Sequence, residues 1–327
     1  MRIVPGGKMK LFEQARQSAE VKWDFRTPPL RRAFWRPEFL TDPAGADWRV
    51  WRAAKLDAAA RFLQCAPVRV ADPRHVSAAE KVAVRAQIAL ANAALYEWEA
   101  PPSQAEDLDR ALLEFSTAFG LNAFEDHRSA NRNGVVRIEV NSARGFYIPY
   151  TDKPIAWHTD GYYNYHGPAK NVQAMILHCA EAADEGGENR LLDPELAFLR
   201  LAEFDVSALR LLLHPEAMII PEARDEAGRV RAENRGPVFF LSNAGALSMR
   251  YTARKKNIVW RDDATRAAAA ALLAVIESEP LVRREKLRPG QGVLCNNILH
   301  DRAAFANGAA PRLLCRVRFH TRIDSEF

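Results

Sequence analysis

A histidine and an aspartate stand one residue apart, His158 and Asp160, within the aromatic stretch WHTDGYYN at 157–164. On an extended strand, residues i and i+2 project to the same face, about 7 Å apart along the backbone. An imidazole and a carboxylate placed in this way suit two ligands of one metal ion. A third ligand is offered far downstream by His300, in NNILHDR, after an apolar stretch that begins beyond the turn RPGQG. A lone His-x-Asp arises often by chance, so the metal reading needs support from elsewhere in the chain. His178, also in an apolar strand-like stretch, reads as structural.

That support comes from PRLLCRVRFH at 311–320. Arg312, Arg316 and Arg318 differ by even numbers, so on a strand they share one face, and Leu313, Cys315 and Val317 share the other. Three guanidinium groups on one face are costly to bury unless carboxylates or phosphates meet them. Arginine is also the residue suited to gripping a carboxylate with two hydrogen bonds. Two histidines and one carboxylate on one face of a metal leave three positions open, the facial triad of non-haem Fe(II) oxygenases. A dicarboxylate such as 2-oxoglutarate can chelate that metal at one end and meet an arginine at the other, with O2 in the remaining position.

The elements that must position these residues are mostly strands. GVVRIEV alternates as a half-buried strand does, and NVQAMILHCA, PVFFLSN, LSMRYT, GVLCNN and PRLLCRVRFH read likewise. Helices are expected at Pro194–Phe204, Val206–Leu213 and Thr265–Glu277. Many strands without a βαβ rhythm favour a mainly β core with α decoration, a double-sheet jelly roll, over residues 131–327. Residues 1–130 read as a mostly helical region packed on that core. There, Ser77–Glu99 is rich in good helix formers, with Ser77 and Glu80 spaced as a capping box and Pro101–Pro102 as the stop. A second helix is expected from about Glu106 to Phe119.

Composition narrows the partners. Hydrophobic residues make up 48% of 327, enough for a sizeable core. Lys and Arg outnumber Asp and Glu by 46 to 41, and the excess is spread out, which gives no nucleic-acid footprint. No apolar run is long enough to span a bilayer, and no secretory signal core opens the chain. Cys65, Cys179, Cys295 and Cys315 form no CxxC pair and read as reduced thiols, so a cytoplasmic protein acting on a small molecule is expected.

The set HTD, LHCAEAADEGGEN, NNILHDRAAF and PRLLCR resembles the Fe(II)/2-oxoglutarate dioxygenases of the taurine dioxygenase type. PYTDKPIAWHTDGYY looks like the metal-site entry of gamma-butyrobetaine hydroxylases, and HTDGYY with SMRY and NNILHDR is similar to bacterial glutarate hydroxylases. The resemblance covers about residues 134–322. It implies a double-stranded β-helix of the clavaminate synthase-like kind. His158, Asp160 and His300 would ligate Fe(II). Arg316 would grip the distal carboxylate of 2-oxoglutarate, and Arg312 would sit near the keto-acid end or support Arg316. Asn189 replaces a frequent threonine of relatives and would still hydrogen-bond the cosubstrate. Asp301 stands where relatives often have glycine, and Arg302 reads as structural. Asp160 favours hydroxylation, because iron halogenases carry a small residue there.

For the substrate, Trp157, Tyr162 and Tyr163 flank the metal motif and either cage a cation or build the core. Arg318 and Arg250 are the alternative anchors, for an anion, with Asn297 assisting. The expected activity is hydroxylation, or a related oxidation, of a small anionic or zwitterionic metabolite, with release of succinate and CO2. The alternatives are a biosynthetic oxygenase of a free or carrier-bound amino acid, a Zn-dependent hydrolase, and a non-catalytic metal-binding relative. The helical half is a candidate interface for a homo-oligomer.

Overall fold

A computed structural model describes residues 43–102, 104–125, 134–141, 147–224, 228, 230–243 and 245–324. The first 42 residues of the expected helical region lie outside the described residues. Two sheets organise the rest. The larger joins β1 (Val68–Val70), β2 (Ala93–Trp98), β3 (Val136–Ile138), β5 (Ala174–Glu181), β8 (Gln291–Cys295) and β10 (Leu313–Phe319) in the order β1-β2-β8-β5-β10-β3. The β1–β2 pair is parallel and the others are antiparallel. The smaller sheet joins β4 (Ile155–His158), β6 (Asn189–Leu192), β7 (Arg283–Glu285) and β9 (Leu299–Arg302) in the order β7-β6-β9-β4.

Strand alternation explains how the layers stack. Tyr96, Ile176, Leu294, Cys315, Val317 and Phe319 lie on one face of the larger sheet, buried against α2 (Ala78–Ala91) and α3 (Ala105–Thr117) through Ile88, Leu112 and Phe115. The intervening residues Leu95, Met175, Leu177, Val293 and Leu314 turn inward and meet Leu191 and Ile298. The outer face of the smaller sheet is covered by α4 (Pro194–Phe204), α5 (Val206–Leu212) and α6 (Asp263–Ser278), with Trp157, Leu192 and Leu299 packed on Phe198, Leu209 and Leu272. Each fully buried Leu or Phe contributes roughly 1.5–3 kcal/mol by leaving water. Truncating Leu112 to Ala would cost about 2–5 kcal/mol, because the helix–sheet seam has no slack to fill the gap.

The expected mainly β chain is thus a mixed helix-and-sheet one, and the helix expected over Ser77–Glu99 is shorter. Its start matches the expectation: Ser77 Oγ accepts from the Glu80 amide, and the Glu80 carboxylate accepts from the Ser77 amide. It ends at Ala91 because Asn92 takes the left-handed conformation at φ 56°, which asparagine tolerates well. ALYEW then runs as β2, with Leu95 buried on one face and Tyr96 on the other. The α1 helix (Ala46–Phe62) is fastened to the rest by Lys55, whose buried ammonium pairs with Asp193 and Glu195 at the start of α4. Among the described residues no helix is long and apolar enough to cross a membrane.

Candidate active site

His158, the last residue of β4, and His300, in β9, are direct partners in an antiparallel pair. Their ring centroids lie 4.2 Å apart. Asp160 joins them, and one ligand atom from each of the three lies within 4.8 Å of the others. The strand itself does not carry Asp160, contrary to the i, i+2 expectation. It stops at His158, the Thr159 amide bonds to the Tyr251 carbonyl at 3.0 Å, and the chain turns. Gly161 makes that turn possible: its φ is +72°, and a Cβ there would sit 2.5 Å from Val172 Cγ2. Asn297 fixes the result. Its Oδ1 accepts from the Asp160 amide at 2.8 Å, and its Nδ2 donates to the Asp160 carbonyl at 3.0 Å and the Val172 carbonyl at 2.8 Å.

The hydrogen bonds decide which ring nitrogens are free. His158 Nδ1 meets the Ala156 carbonyl and His300 Nδ1 meets the Ile298 carbonyl, each at 3.0 Å. A carbonyl only accepts, so each Nδ1 carries the proton and each Nε2 keeps its lone pair. Burial, and then the neighbouring His300, lowers the His158 pKa to about 3. Burial also lowers that of His300. For Asp160, burial opposes ionisation, but Arg316, Arg318 and the two imidazoles outweigh it and hold the carboxyl well below the usual range. One of its oxygens, Oδ1, accepts from Arg316 at 2.9 Å and Arg318 at 3.4 Å. The other, Oδ2, is buried with no hydrogen-bond partner. Two imidazole lone pairs and one unpartnered anionic oxygen at this spacing fit a divalent metal.

Along β10 the arginine row lies as the alternation requires, with Arg316 and Arg318 on the pocket side and Cys315 and Val317 on the helix side. Arg318 also donates to the Tyr163 hydroxyl at 3.2 Å and pairs with Glu125. Burial works against the Arg318 charge, but Tyr163, Asp160 and Glu125 outweigh it and raise its pKa. Arg312, just before the strand, is 4% exposed, and its guanidinium stacks on Phe305 at 4.8 Å. Burial lowers its pKa, and no described carboxylate pairs with it. Tyr162 packs edge-on to His158 at 6.3 Å, with Arg254 over its ring at 5.1 Å. Asn189 is buried on β6 and donates to the Asp301 carbonyl at 2.6 Å. Asp301 in turn accepts from the Arg190 amide at 2.9 Å and from its Nε at 2.7 Å, tying β9 to β6.

Two candidates for substrate contact, Trp157 and Arg250, are not brought to the pocket. Trp157 faces away from it, since it neighbours His158 on a strand; its indole donates to Glu277 at 3.1 Å and lies 4.5 Å from the Arg190 guanidinium. Arg250 is fully buried, with its donors directed at the Tyr162, Met218, Gly236 and Asn234 carbonyls and Asn234 Oδ1 at 2.8–3.3 Å. Burial lowers its pKa to about 10. Asn297 serves the Asp160 backbone. His178 is structural, as expected: buried, it packs against Trp98 and bonds the Tyr96 hydroxyl at 3.1 Å. Arg302 donates to the Pro149, Thr151 and Lys153 carbonyls. Sequence reasoning missed Glu125, and nothing in LNAFEDHR marks that carboxylate as buried.

A curated uridine-5'-phosphate dioxygenase from Amycolatopsis sp. is 31% identical over 146 residues, which cover 43% of this chain and 50% of that protein. The chain thus spans about half the length of that relative. Among solved structures, an asparagine oxygenase in complex with Fe(II), 3-hydroxyasparagine and succinate is 15% identical, with a TM-score of 0.53 over 86% of this chain and 88% of the other. The non-heme iron oxygenase OrfP, in complex with Fe, succinate and (3S)-hydroxy-L-Arg, is 16% identical, with a TM-score of 0.55 over 84% and 92%. At these identities the structures speak for the fold. The model of the family described as "Taurine catabolism dioxygenase TauD, TfdA family" matches residues 104–318, well over half of the chain, and the protein belongs to that family.

Proposed function

We propose that the protein is an Fe(II)/2-oxoglutarate-dependent oxygenase that hydroxylates a small anionic or zwitterionic metabolite. The observation that carries the reading is the His158–Asp160–His300 cluster, with both Nε2 lone pairs free and Asp160 Oδ2 buried and unpartnered. His158, Asp160 and His300 would hold the metal. When bound, Fe(II) with 2-oxoglutarate and O2 supplies the oxidising chemistry, with succinate and CO2 as products. The two face-to-face sheets support a jelly-roll core built mainly from residues 131–327, with β1 and β2 of the first 130 residues extending one edge of the larger sheet. The described part of the first 130 residues packs on it through β2 and Lys55.

The chain's own part is to bind, orient and exclude water. Carbonyl bonds at each Nδ1 fix the imidazoles, and Asn297 fixes Asp160. Arg312 supports the role of anchor for the distal carboxylate of 2-oxoglutarate, since it is buried and meets no described carboxylate. Arg316, already on Asp160 Oδ1, stands nearer the metal ligands. This favours exchanging the two roles that the resemblance assigned. Asn189, behind Asp301, supports the pocket wall. Arg316, Arg318, Tyr162 and Tyr163 support an anionic or zwitterionic substrate. The molecules for which the relatives are named, a nucleoside monophosphate and two amino acids, are of that kind. Four free cysteines, three of them buried, are consistent with a reducing cytoplasm.

The test is anaerobic addition of Fe(II) and 2-oxoglutarate to metal-free protein, read by visible absorbance. A weak charge-transfer band, lost in His158→Ala, is expected. No band, together with tight Zn(II) binding, would overturn the reading in favour of a hydrolase or a non-catalytic relative. Succinate release over nucleoside monophosphates, amino acids, dicarboxylates and sulfonates then finds the substrate.

A further inference from the structure

The pocket holds more buried positive charge than its metal ligands can balance. Arg316 and Arg318 both reach Oδ1 of Asp160, at 2.9 and 3.4 Å. A divalent metal on Oδ2 would put three positive groups on one carboxylate. Such crowding weakens metal binding unless a second anion answers it. A carboxyl group placed to supply it is present. Glu125 is 5% exposed, and its carboxylate pairs with Arg318, which is itself 3% exposed. Its placement is set by backbone as well as side chain: Phe124 bridges Phe319, and the Glu125 amide donates to the Arg318 carbonyl at 2.9 Å. Glu125 touches neither His158 nor His300 and belongs to no motif.

We propose that Glu125 is a positioning residue for the reaction. It draws Arg318 partly off Asp160 and supplies the counter-charge that lets Asp160 accept a divalent cation beside two guanidinium groups. The inference rests on the metal reading given above. It predicts effects of opposite sign on cations and anions entering the same pocket. Removing the Glu125 charge leaves Arg318 to Asp160 and Tyr163 alone, so the pocket becomes more positive. Metal binding then weakens, and binding of an anionic cosubstrate does not.

Two titrations test this, neither of them reading turnover. Co(II) is titrated into the metal-free chain and followed by its visible d–d absorbance. N-oxalylglycine is then titrated at saturating Co(II). In Glu125→Gln, the Co(II) Kd is expected to rise by about tenfold or more, while the N-oxalylglycine Kd stays equal or falls. Glu125→Asp, which keeps the charge, should stay within about threefold of wild type for Co(II). The double variant Glu125→Gln/Arg318→Gln removes both charges of the pair and should recover most of the lost Co(II) affinity. Unchanged Co(II) affinity in Glu125→Gln would overturn the proposal. So would a parallel loss of both affinities that the double variant does not repair, since that is the mark of a merely structural ion pair. Failure of the wild-type chain to bind Co(II) would instead overturn the metal reading, and this inference with it.

Discussion

His158 and His300 face each other across the β4–β9 pair, each with its Nδ1 turned back to a carbonyl two residues before it. The two rings are therefore held in one tautomer by their own strands. On the proposed metal site, loss of either ring removes a ligand outright, not a support. Ala at His158 or His300 should weaken Co(II) or Fe(II) binding beyond the roughly 10–100-fold typical of losing an outer-shell partner. Isothermal titration of metal into chelator-treated protein measures this. A small effect at His300 would mean that the metal sits elsewhere.

Asn297 provides a separate check on how Asp160 is held. Its backbone sits at φ +50°, and its side chain makes three bonds, two of them to Asp160. Asn297→Gly keeps the backbone conformation accessible and deletes the side chain with its amide group. Metal affinity should fall by about 10–100-fold, and stability by about 1–3 kcal/mol for the buried groups left unpaired. The expected kinetic signature is full activity at high Fe(II). Activity that metal excess does not restore would mean that Asn297 also meets the substrate.

Arg312 and Arg316 are distinguishable by what each has to lose. Arg312 stacks on Phe305 and has no described counter-ion, whereas Arg316 holds Asp160. Arg312→Ala should raise the KM for 2-oxoglutarate about 10–100-fold, the size of a charge-assisted hydrogen bond, with metal affinity nearly unchanged. Arg316→Ala should disturb metal affinity as well. The two variants, compared by metal titration and by 2-oxoglutarate dependence of succinate release, separate the roles. The reverse pattern would restore Arg316 as the distal anchor.

Residues are legible in the sequence where their chemistry and spacing suit few arrangements. His158, Asp160 and His300 converge as their types require, and Arg316 and Arg318 share a face because strand alternation leaves no choice, whereas Arg312 lies before the strand and beyond a register shift at Leu313/Leu314. The differences between expectation and structure have physical causes. Ser77–Glu99 has helical composition throughout, yet one left-handed Asn92 ends the helix and ALYEW gains more by pairing with β8. Trp157 resembles a pocket wall because it adjoins His158, but adjacency on a strand means opposite faces. Arg250 has the charge of an anion anchor. Its fork of donors instead serves four backbone carbonyls and one side-chain amide, a use that sequence cannot distinguish. Glu125 gives no signal, because its role comes from a tertiary contact with Arg318.

Three buried imidazoles give the metal-free protein a pH dependence whose sign can be stated. Burial lowers His158 and His178 to about 3, and lowers His300 as well. In the unfolded chain each titrates near 6.5. Above that pH both states are neutral there, and the full stability is present. As pH falls below about 6.5 the unfolded state takes up protons that the folded state refuses, so stability is lost until the folded pKa values are reached. The slope is about 1.4 kcal/mol per pH unit for each imidazole. Denaturant midpoints measured with a chelator should therefore be lower at pH 5.5 than at pH 7. His178→Gln removes one titrating group outside the metal cluster while keeping a polar partner for Tyr96, and should make that fall shallower. An unchanged slope in His178→Gln would mean that His178 already takes up a proton in the folded protein.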